Sequence, residues 1–363
     1  MADRTTERRW LEQLTAIPTA PGREGRVMDW IRAWAGRRND LEVQSDPYGN
    51  LLITQKGRRR AAPVIAVAHT DHPGFVVVDV QGREVSVEFR GGVRKEYFDG
   101  ARIELFDTED RPHRGALSKF DHDRGRGTIT LAHQAPLVPG DIGRWSFGKN
   151  RGGAGERFAL APACDDLAGV AAALAALDRS RDLSSRRHFG VLLTRAEEVG
   201  FVGAIGAARN GTLVEGTRVL SIECSRSFPE SPLGGGPVVR VGDASSVFDH
   251  DLTNVIAEAA KGAGLTHQRK LMAGGSCEAT AFLAYGYPAT GLCLPLGNYH
   301  NMGNLDQVEQ GKGMATPLPE VVSIADFHGL IDLLGLAAEA ADGDWDLVDR
   351  LDRRFDSERH VLG

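Results

Sequence analysis

Histidines and carboxylates directly follow several apolar runs of the chain. His69-Thr70-Asp71 follows VIAVA, Glu197-Glu198 lies just after FGVLLT, Glu223 follows VLSI, and His300 comes shortly after ATGLCLP. The pair Asp165-Asp166 directly precedes an Ala-rich run. In open α/β sheets, ligands bind beyond the carboxyl ends of the strands. These five segments are therefore expected to deliver their acidic and imidazole groups to one edge of one sheet.

These residues have the donor types of a metal site. The predicted ligands are two His, two Glu and one Asp, namely His69, Asp165, Glu198, Glu223 and His300. A mixed N/O set suits Zn²⁺ first, with Co²⁺ or Mn²⁺ as alternatives. Five ligands exceed the need of one tetrahedral ion but suffice for two divalent ions about 3.5–4 Å apart if one carboxylate bridges them. Asp165 is the expected bridge, because a helix N-terminus favours its anionic form.

The adjacent acids Glu197 and Glu198 are expected to have different roles, because neighbouring side chains point in different directions. One can bind metal while the other takes a proton from a metal-bound water whose pKa the ion lowers toward about 7. In His69-x-Asp71 both side chains lie on the same face of an extended segment. Asp71 is therefore expected to accept a hydrogen bond from the ring nitrogen of His69 that does not bind metal.

Each of these residues also has an ordinary structural interpretation when it is considered alone. Asp165 and Asp166 could cap the following helix, Glu223 could be a surface residue at a strand end, and His300 could be a hydrogen-bonded loop histidine. The combination of all five segments at strand ends favours the metal site. His72, His113, His122, His133 and His267 lie in turn-like or polar contexts and are given no role.

The elements that must position these residues alternate between strands and helices. Helical spacing predicts helices at 6–16, 24–35, 166–177, 252–263 and 321–336, and short apolar runs predict buried strands at 63–68, 189–194, 219–222 and 289–295. This alternation predicts an α/β fold, a doubly wound and mostly parallel sheet flanked by helices.

A different pattern interrupts this alternation. From about Phe75 to Phe158, short alternating segments are separated by Gly, Pro and Asp, without a good helical pattern. This is typical of a small all-β module. We therefore expect a discontinuous catalytic domain (1–75 and 158–340), an inserted β-barrel-like domain (76–157) and a charged, helix-competent C-terminal tail (341–363).

Composition excludes several classes of function. The 363 residues carry a formal net charge of -6, which gives no electrostatic reason to bind nucleic acid or an anionic membrane. The basic run Lys56–Arg60 is interpreted as a solvated turn. No apolar stretch is long enough to span a bilayer, and the polar N-terminus does not resemble a signal peptide. Together with four cysteines that form no C-x-x-C pair, this favours a cytoplasmic protein without a disulfide framework.

The chain resembles the glutamyl-aminopeptidase and tetrahedral-aminopeptidase family of dinuclear metallopeptidases. The resemblance lies in the blocks HTDHPGF (69–75), CDDLAGV (164–170), AEEVGFVGA (196–204), GGSCEA (274–279) and LPLGNYHNMG (294–303). The stretches APGREGRV and SDPYGNLL, and FRGGVRKEYFDGARIEL and VPGDIGRWSF in the insert, are similar to the family as well. The resemblance extends, in the family's order, over roughly Thr6 to Leu336.

The resemblance implies a role for each matching residue. His69, bridging Asp165 and Glu223 would bind one ion, and Asp165, Glu198 and His300 the other. Glu197 would be the general base, and Asp71 would be the carboxylate behind His69. The implied activity is removal of N-terminal residues from peptides. The resemblance further implies that the inserted module mediates dimerisation within homo-oligomers that extend to dodecamers.

The chain departs from the family's pattern at three places. It has Glu223 where Asp is usual, Leu167 where Arg follows the paired Asp, and Ser276-Cys277-Glu278 where a Thr-Asp pair is usual. The last two changes motivate an alternative, a non-peptidase amide hydrolase on the same scaffold, such as a deacylase or a small-amide amidohydrolase. A second alternative is an inactive assembly subunit. Cys164, Cys224 and Cys277 flank the predicted ligands and are interpreted as small packing residues.

Overall fold

The structure is a computed structural model that describes residues 2–57, 63–148, 153–181, 188–343 and 345–362. Most of the basic run at 56–60 lies outside these ranges. The strands occur in three consecutive groups along the chain. They are β1 (Leu41–Ser45), β2 (Leu51–Gln55), β3 (Val64–His69); β4 (Gly74–Gln81), β5 (Glu84–Arg90), β6 (Arg102–Phe106), β7 (Pro112–Asp121), β8 (Arg126–Leu131), β9 (Ile142–Trp145); and β10 (Gly153–Ala154), β11 (Phe158–Ala161), β12 (Phe189–Thr194), β13 (Arg218–Arg226), β14 (Val238–Gly242), β15 (Gln268–Leu271), β16 (Ala289–Gly297), β17 (Met302–Gly303), β18 (Thr316–Pro317), β19 (Glu320–Ser323).

The first and third groups build one large sheet in the order β1-β2-β12-β3-β13-β16-β19-β11-β10, with β14 and β15 branching from β16. Its centre, β12-β3-β13-β16, is parallel. The flanking pairs β2-β12, β16-β19 and β14-β16 are antiparallel. The expected α/β fold around a central sheet is confirmed. The sheet is mixed, with parallel pairing at its centre and in the branching pair β14-β15.

Helices cover both faces of this sheet. They are α1 (Arg4–Ala16), α2 (Gly25–Gly36), α3 (Leu167–Ser180), α4 (Val202–Asn210), α5 (His250–Gly262), α6 (Glu278–Ala284), α7 (Leu305–Glu309), α8 (Ile324–Ala340) and α9 (Leu347–Glu358). The larger apolar core contains buried residues of α1, α2, α3, α5 and α8, and a second core contains those of α4 and α6. Among the described residues, no helix combines the length and apolarity needed to cross a membrane.

The alanines of α3 explain how this helix fits at the centre of the larger core. Every residue from Leu167 to Asp178 is buried, and α3 contacts α1, α8 and the strands β3, β12 and β13. Small side chains let the helix approach all these neighbours closely. Its N-terminus, which follows Asp165 and Asp166, is thereby fixed next to the carboxyl ends of the central strands.

The second group of strands closes into a barrel in the order β4-β5-β8-β7-β6-β9. Its interior is aromatic, with Phe75, Phe89, Phe98 and Trp145 buried and Phe120 stacked on Phe98 at a centroid distance of 4.1 Å. The barrel strands span 74–145 and therefore lie within or at the edge of the expected insert, whereas β10 and β11 pair with the large sheet. The chain leaves the large sheet after β3, which ends at His69, to form the barrel. It returns to the large sheet before α3, which begins shortly after Asp165.

The chain near residue 321 differs from the expected continuous helix. Glu320–Ser323 forms β19, and α8 begins at Ile324 with the Ser323 hydroxyl accepting a hydrogen bond from the Asp326 backbone N–H at 3.2 Å. The β-branched pair Val321-Val322 suits a strand, and β19 pairs with β16 and β11 on its two sides. The prediction of helix for 321–323 was therefore wrong, because strand pairing determines the structure there.

The charged tail contains α9 and a 3₁₀ turn at Arg359–Leu362, neither of which has a buried residue. Arg350 lies over the Trp345 ring, 3.6 Å from its centroid, and 3.7 Å from Glu258 of α5. The predicted helix-competent tail is therefore helical and contacts the catalytic part mainly through polar groups.

A substitution at Gly203, at the start of α4, tests how closely the turn after β12 is packed. A Cβ at this position would lie 2.3 Å from the Arg195 carbonyl oxygen and 2.7 Å from the Asn50 amide oxygen. We expect Gly203→Ala to lower the free energy of unfolding by about 1–3 kcal/mol, measured by denaturant unfolding. Gly36→Ala is the control, because a Cβ there meets nothing within 4 Å. Equal effects of the two substitutions would contradict this account.

Candidate metal centre

The parallel central strands deliver their terminal residues to one edge of the sheet. Thr194, the last residue of β12, is aligned with His69, the last residue of β3, and Glu223 of β13 is aligned with Cys293 of β16. The Glu197-Glu198 pair follows β12, and His300 follows β16 in a 3₁₀ turn, Tyr299–Asn301. The sequence prediction of a common edge therefore matches the arrangement of these side chains.

Hydrogen bonds to carboxylates hold the turn that carries Glu197 and Glu198. The Asp71 carboxylate accepts the backbone N–H groups of Glu197 and Glu198, each at 3.0 Å. The buried Glu24 carboxylate accepts the Arg195 Nε–H at 2.8 Å and the Ala196 N–H at 3.1 Å. These hydrogen bonds fix the backbone at the pair and just before it, and so hold the two glutamates in place.

The predicted ligands form two groups of three that share Asp165. His69, Asp165 and Glu223 offer donor atoms that all lie within 4.8 Å of one another, and so do Asp165, Glu198 and His300. The His69 Nε2 lies 3.3 Å from Asp165 Oδ1, and the His300 Nε2 lies 3.5 Å from Asp165 Oδ2. The two carboxylate oxygens of Asp165 thus face different histidines, the arrangement needed for a bridging ligand.

Glu197 lies beside these groups. Its Oε2 is 4.0 Å from His69 Nε2. A third group with donors within 4.8 Å, His69, Glu197 and Glu198, makes Glu197 geometrically capable of ligation as well. Glu197 is therefore close enough either to ligate or to exchange a proton with a molecule bound at the centre.

Hydrogen bonds at Nδ1 aim both imidazoles at the centre through Nε2. His69 Nδ1 is 3.2 Å from the backbone oxygen of Asp71 and 3.6 Å from its carboxylate, so the closer contact is to the backbone. His300 Nδ1 donates to the Gly92 carbonyl oxygen at 2.6 Å. A proton on Nδ1 leaves Nε2 as the available donor atom for a metal. Gly92 belongs to the inserted module, which therefore helps to orient a predicted ligand.

The carboxylates of the centre fit a cation. Asp165 Oδ1, Glu198 Oε1 and Glu223 Oε1 are buried, and each makes no hydrogen bond to a described residue. Burial, opposed by His69 and reinforced by Asp165, raises the pKa of Glu223 to about 8. Burial and the charge of Glu223 also raise the pKa of Glu197 well above its ordinary value. Anions in this environment need protons or metal ions to compensate their charge, and the N/O donor set suits a divalent transition metal.

Sequence reasoning missed three residues that hold the ligands in place. The buried Glu320 carboxylate accepts the N–H groups of Cys164 at 2.6 Å, Asp165 at 3.0 Å and His300 at 2.8 Å. His72, which was given no role, contacts the Asp165 carbonyl oxygen at 2.7 Å and the Asn301 amide oxygen at 3.1 Å. The one sequence signal for His72 and Asn301 was their position inside the blocks 69–75 and 294–303, and nothing in the sequence signalled Glu320.

The departures from the family pattern occupy different environments. Leu167 is completely buried in the larger core, so it does not line the centre. Ser276 lines a cavity of about 290 Å³ that opens on the centre, while Cys277 and Glu278 are buried. All four cysteines are free and buried, as expected for packing residues. Leu167 therefore gives no reason to expect an altered substrate class.

Comparisons with known proteins indicate the class of protein that carries this fold and donor set. Residues 138–313 match the model of the M42 glutamyl aminopeptidase family. A curated relative, a putative aminopeptidase from Acetivibrio thermocellus, is 24% identical over 309 residues, covering 80% of this chain and 91% of the relative. The match confirms the resemblance found in the sequence: just under half of the chain is similar to the M42 glutamyl aminopeptidases, and this similarity supports a peptidase hydrolase.

Solved structures with 19–20% identity share the fold. An aminopeptidase from the archaeon Desulfurococcus kamchatkensis has a TM-score of 0.76, with 20% identity, and covers 94% of this chain and 96% of that chain. A TET aminopeptidase from a marine-sediment thaumarchaeon has a TM-score of 0.76 with 19% identity and covers 96% and 99%. The TET1 peptidase of Pyrococcus horikoshii, described as assembling into a tetrahedron or a large octahedral shell, has a TM-score of 0.72 with 20% identity and covers 92% and 99%.

Glu320→Gln tests whether this carboxylate positions the ligand segments. An amide cannot accept at both oxygen positions, so its NH₂ would face at least one of the backbone N–H donors that now bind Glu320. We expect roughly 10–100-fold weaker metal binding, measured by competition with a chromogenic chelator. Glu215→Gln, at an exposed position, is the control. Unchanged metal affinity in the folded Glu320 variant would remove this role.

Proposed function

We propose that the chain is a dinuclear metal-dependent aminopeptidase that hydrolyses the first peptide bond of its substrates. The observation that carries the proposal is the pair of three-residue groups that share Asp165, with Glu197 beside them. His69, Asp165 and Glu223 would hold one ion, and Asp165, Glu198 and His300 the other. The donor set favours Zn²⁺, with Co²⁺ or Mn²⁺ as alternatives.

Two bound divalent ions would supply Lewis acidity toward water and toward the carbonyl oxygen of the substrate. The residues of the chain supply positioning and proton transfer. Glu197 takes the proton of the attacking water and returns it to the amine that leaves. Asp71 holds the backbone N–H of Glu197 at 3.0 Å, which fixes the base relative to His69. The buried walls of the centre limit the access of other water molecules to the reacting atoms.

An assembly of several chains also fits the fold. The Pyrococcus horikoshii peptidase is described as assembling into a tetrahedron or a large octahedral shell, and the barrel here exposes Val78 on β4 and Val138 before β9. We propose that the barrel mediates the dimer contact from which a homo-oligomer is built.

The base and the ligand roles can be separated by two neighbouring substitutions. We expect Glu197→Gln to keep two metal ions per chain but to lose turnover of amino-acid anilides by at least about 100-fold, the range for general-base catalysis. Glu198→Gln should instead lose about one ion per chain, since its carboxylate lies 3.2 Å from His300 Nε2. Elemental analysis and anilide kinetics on both variants measure these effects. Full activity of Glu197→Gln with both ions bound would refute the mechanism.

The oligomer can be tested on the unmodified full chain. We expect light scattering coupled to size exclusion to give a mass that is an even multiple of the single chain, because the proposed contact between two barrels makes a symmetric dimer the building unit. A Val78→Lys variant places a charge on the proposed contact and should lower that mass. A single-chain mass for the unmodified protein would contradict the proposed assembly.

A further inference from the structure

The helix of the C-terminal tail exposes an apolar surface. In α9 and the 3₁₀ turn after it, six large apolar side chains are between 47% and 76% exposed: Leu347, Val348, Leu351, Phe355, Val361 and Leu362. No residue of α9 is buried. A contiguous apolar patch on an exposed surface marks an interaction site in many soluble proteins. This surface is therefore expected to have a partner.

Four of these side chains form a stripe along one face of α9. Leu347, Leu351 and Phe355 are spaced by four residues and Val348 lies beside them, so the four fall within about 100° around the helix axis. The helix is capped, since the Asp346 side chain accepts the Asp349 N–H at 2.8 Å. An amphipathic helix of this kind packs its apolar face against another surface.

The contacts of α9 with the rest of the chain lie away from the stripe. Arg350 lies over the Trp345 ring, 3.6 Å from its centroid, and 3.7 Å from Glu258 of α5. At 100° per residue, Arg350 points roughly 115° away from the middle of the stripe. The side of α9 that faces α5 is therefore not the apolar side, and the stripe stays open to another molecule.

The charges next to the stripe have opposite signs on its two sides. Arg354 lies on one side and Asp352 on the other, each about 80° from the middle of the stripe. Both side chains are exposed and have no ion-pair partner within the described part of the chain. The other charged residues of the tail form the pairs Arg350–Glu258, Arg353–Asp349 and Arg359–Asp356. A partner that pairs with both free charges needs an acid opposite Arg354 and a base opposite Asp352.

A second copy of α9 has this pattern when the two helices run in the same direction. A two-fold axis parallel to the helices places Arg354 of each copy against Asp352 of the other, on both sides of the apolar contact. In the antiparallel arrangement, Arg354 would face Arg354 and Asp352 would face Asp352, and like charges in such positions are unfavourable. The charges therefore favour a second copy in the parallel orientation.

We propose that α9 is a contact between two copies of this chain, formed by parallel pairing of their apolar stripes. This contact is distinct from the proposed barrel contact. Its area is small against the roughly 800 Å² per partner of a standard interface. Glu358, one turn after Phe355 on the same face, weakens it further because its two copies approach each other. Chains already joined elsewhere would form the contact readily, since their tails are held at a high effective concentration.

A lipid surface fits this helix less well than a second copy does. The range Leu347–Glu358 contains four acidic residues and three arginines. Helices that lie on membranes carry Lys and Arg on their polar face, which attract anionic lipids. The acidic residues of α9 oppose that attraction, whereas the mixed pattern of charges suits self-pairing.

The first test is a disulfide cross-link in the metal-loaded full chain. Val348→Cys places a thiol near the N-terminal end of the stripe, while the four native cysteines are buried. Parallel pairing brings the two new thiols within reach of a disulfide, and antiparallel pairing places each beside the opposite end of the stripe. With diamide as oxidant, we expect covalent dimer to form at least about tenfold faster than in Ser357→Cys, because pairing concentrates the thiols to the millimolar range. Ser357 is the matched control, since it lies on the opposite face of α9.

Substitutions within the contact give the second test. Leu351→Lys places a charge at the middle of the stripe and should abolish the cross-link of Val348→Cys, whereas Ser357→Lys should leave it unchanged. Arg354→Asp or Asp352→Arg alone should slow cross-linking severalfold, because like charges then face each other. The two together should restore it. Removal of the acid in Glu358→Gln should accelerate it.

Every outcome bears on the pairing of α9. Equal cross-linking of Val348→Cys and Ser357→Cys would overturn the proposal, and so would a cross-link that persists with Leu351→Lys. Binding of α9 to vesicles of anionic lipid without a covalent dimer would assign the stripe to a membrane instead. If Leu351→Lys does not fold, the rate for Val348→Cys alone decides. None of these readouts involves peptide hydrolysis, so failure here leaves the proposed aminopeptidase activity untouched, and an unchanged mass of Val78→Lys would contradict only the barrel contact.

Discussion

Mutual repulsion among buried carboxylates is the constraint on which the site depends. Asp165, Glu197, Glu198 and Glu223 converge with two imidazoles at the carboxyl edge of the central strands. Burial and the neighbouring carboxylates raise the pKa of Glu197 and Glu223, whereas His300 and His69 hold the pKa of Asp165 below its ordinary value. The raised pKa of Glu223, about 8, reflects that situation. A fold can keep such a cluster only if the surrounding elements prevent it from separating and a cation compensates its charge.

Hydrogen bonds between side-chain carboxylates and backbone N–H groups hold the ligand segments together. Asp71 holds the turn carrying Glu197 and Glu198, and Glu320 ties the segment before α3 to the turn carrying His300. Both are carboxylates that accept N–H groups, so they fix the ligand segments without competing for the metal. Residues of the inserted module also hold segments of the centre. Gly92 orients His300, and the Tyr97 hydroxyl donates to the Gly303 carbonyl oxygen at 2.7 Å. The barrel is therefore structurally coupled to the centre, whatever its role in assembly.

The sequence allowed the central strands and the predicted ligands to be found because both have local signals. Apolar runs followed by His or acidic residues identify strand ends, and the parallel order of the sheet then brings them together. Glu320 had no such signal, since its three partners lie about 20 and more than 150 residues away along the chain. Val321–Ser323 looked helical because the strand partners that determine their conformation, β16 and β11, are likewise remote. Arg240 lies on a short branching strand whose pairing with Gly291 is visible only in the folded chain.

The cavity therefore combines two kinds of electrostatic demand. At one side, clustered carboxylates require positive charge, which divalent ions would supply. At the other, the buried Arg240 experiences the negative charges of Glu223 and Asp243, while Arg226 is paired with Glu309 and Asp306. Cations bound at the centre would therefore leave the arginines of the cavity, rather than its carboxylates, to set the charge that a substrate meets.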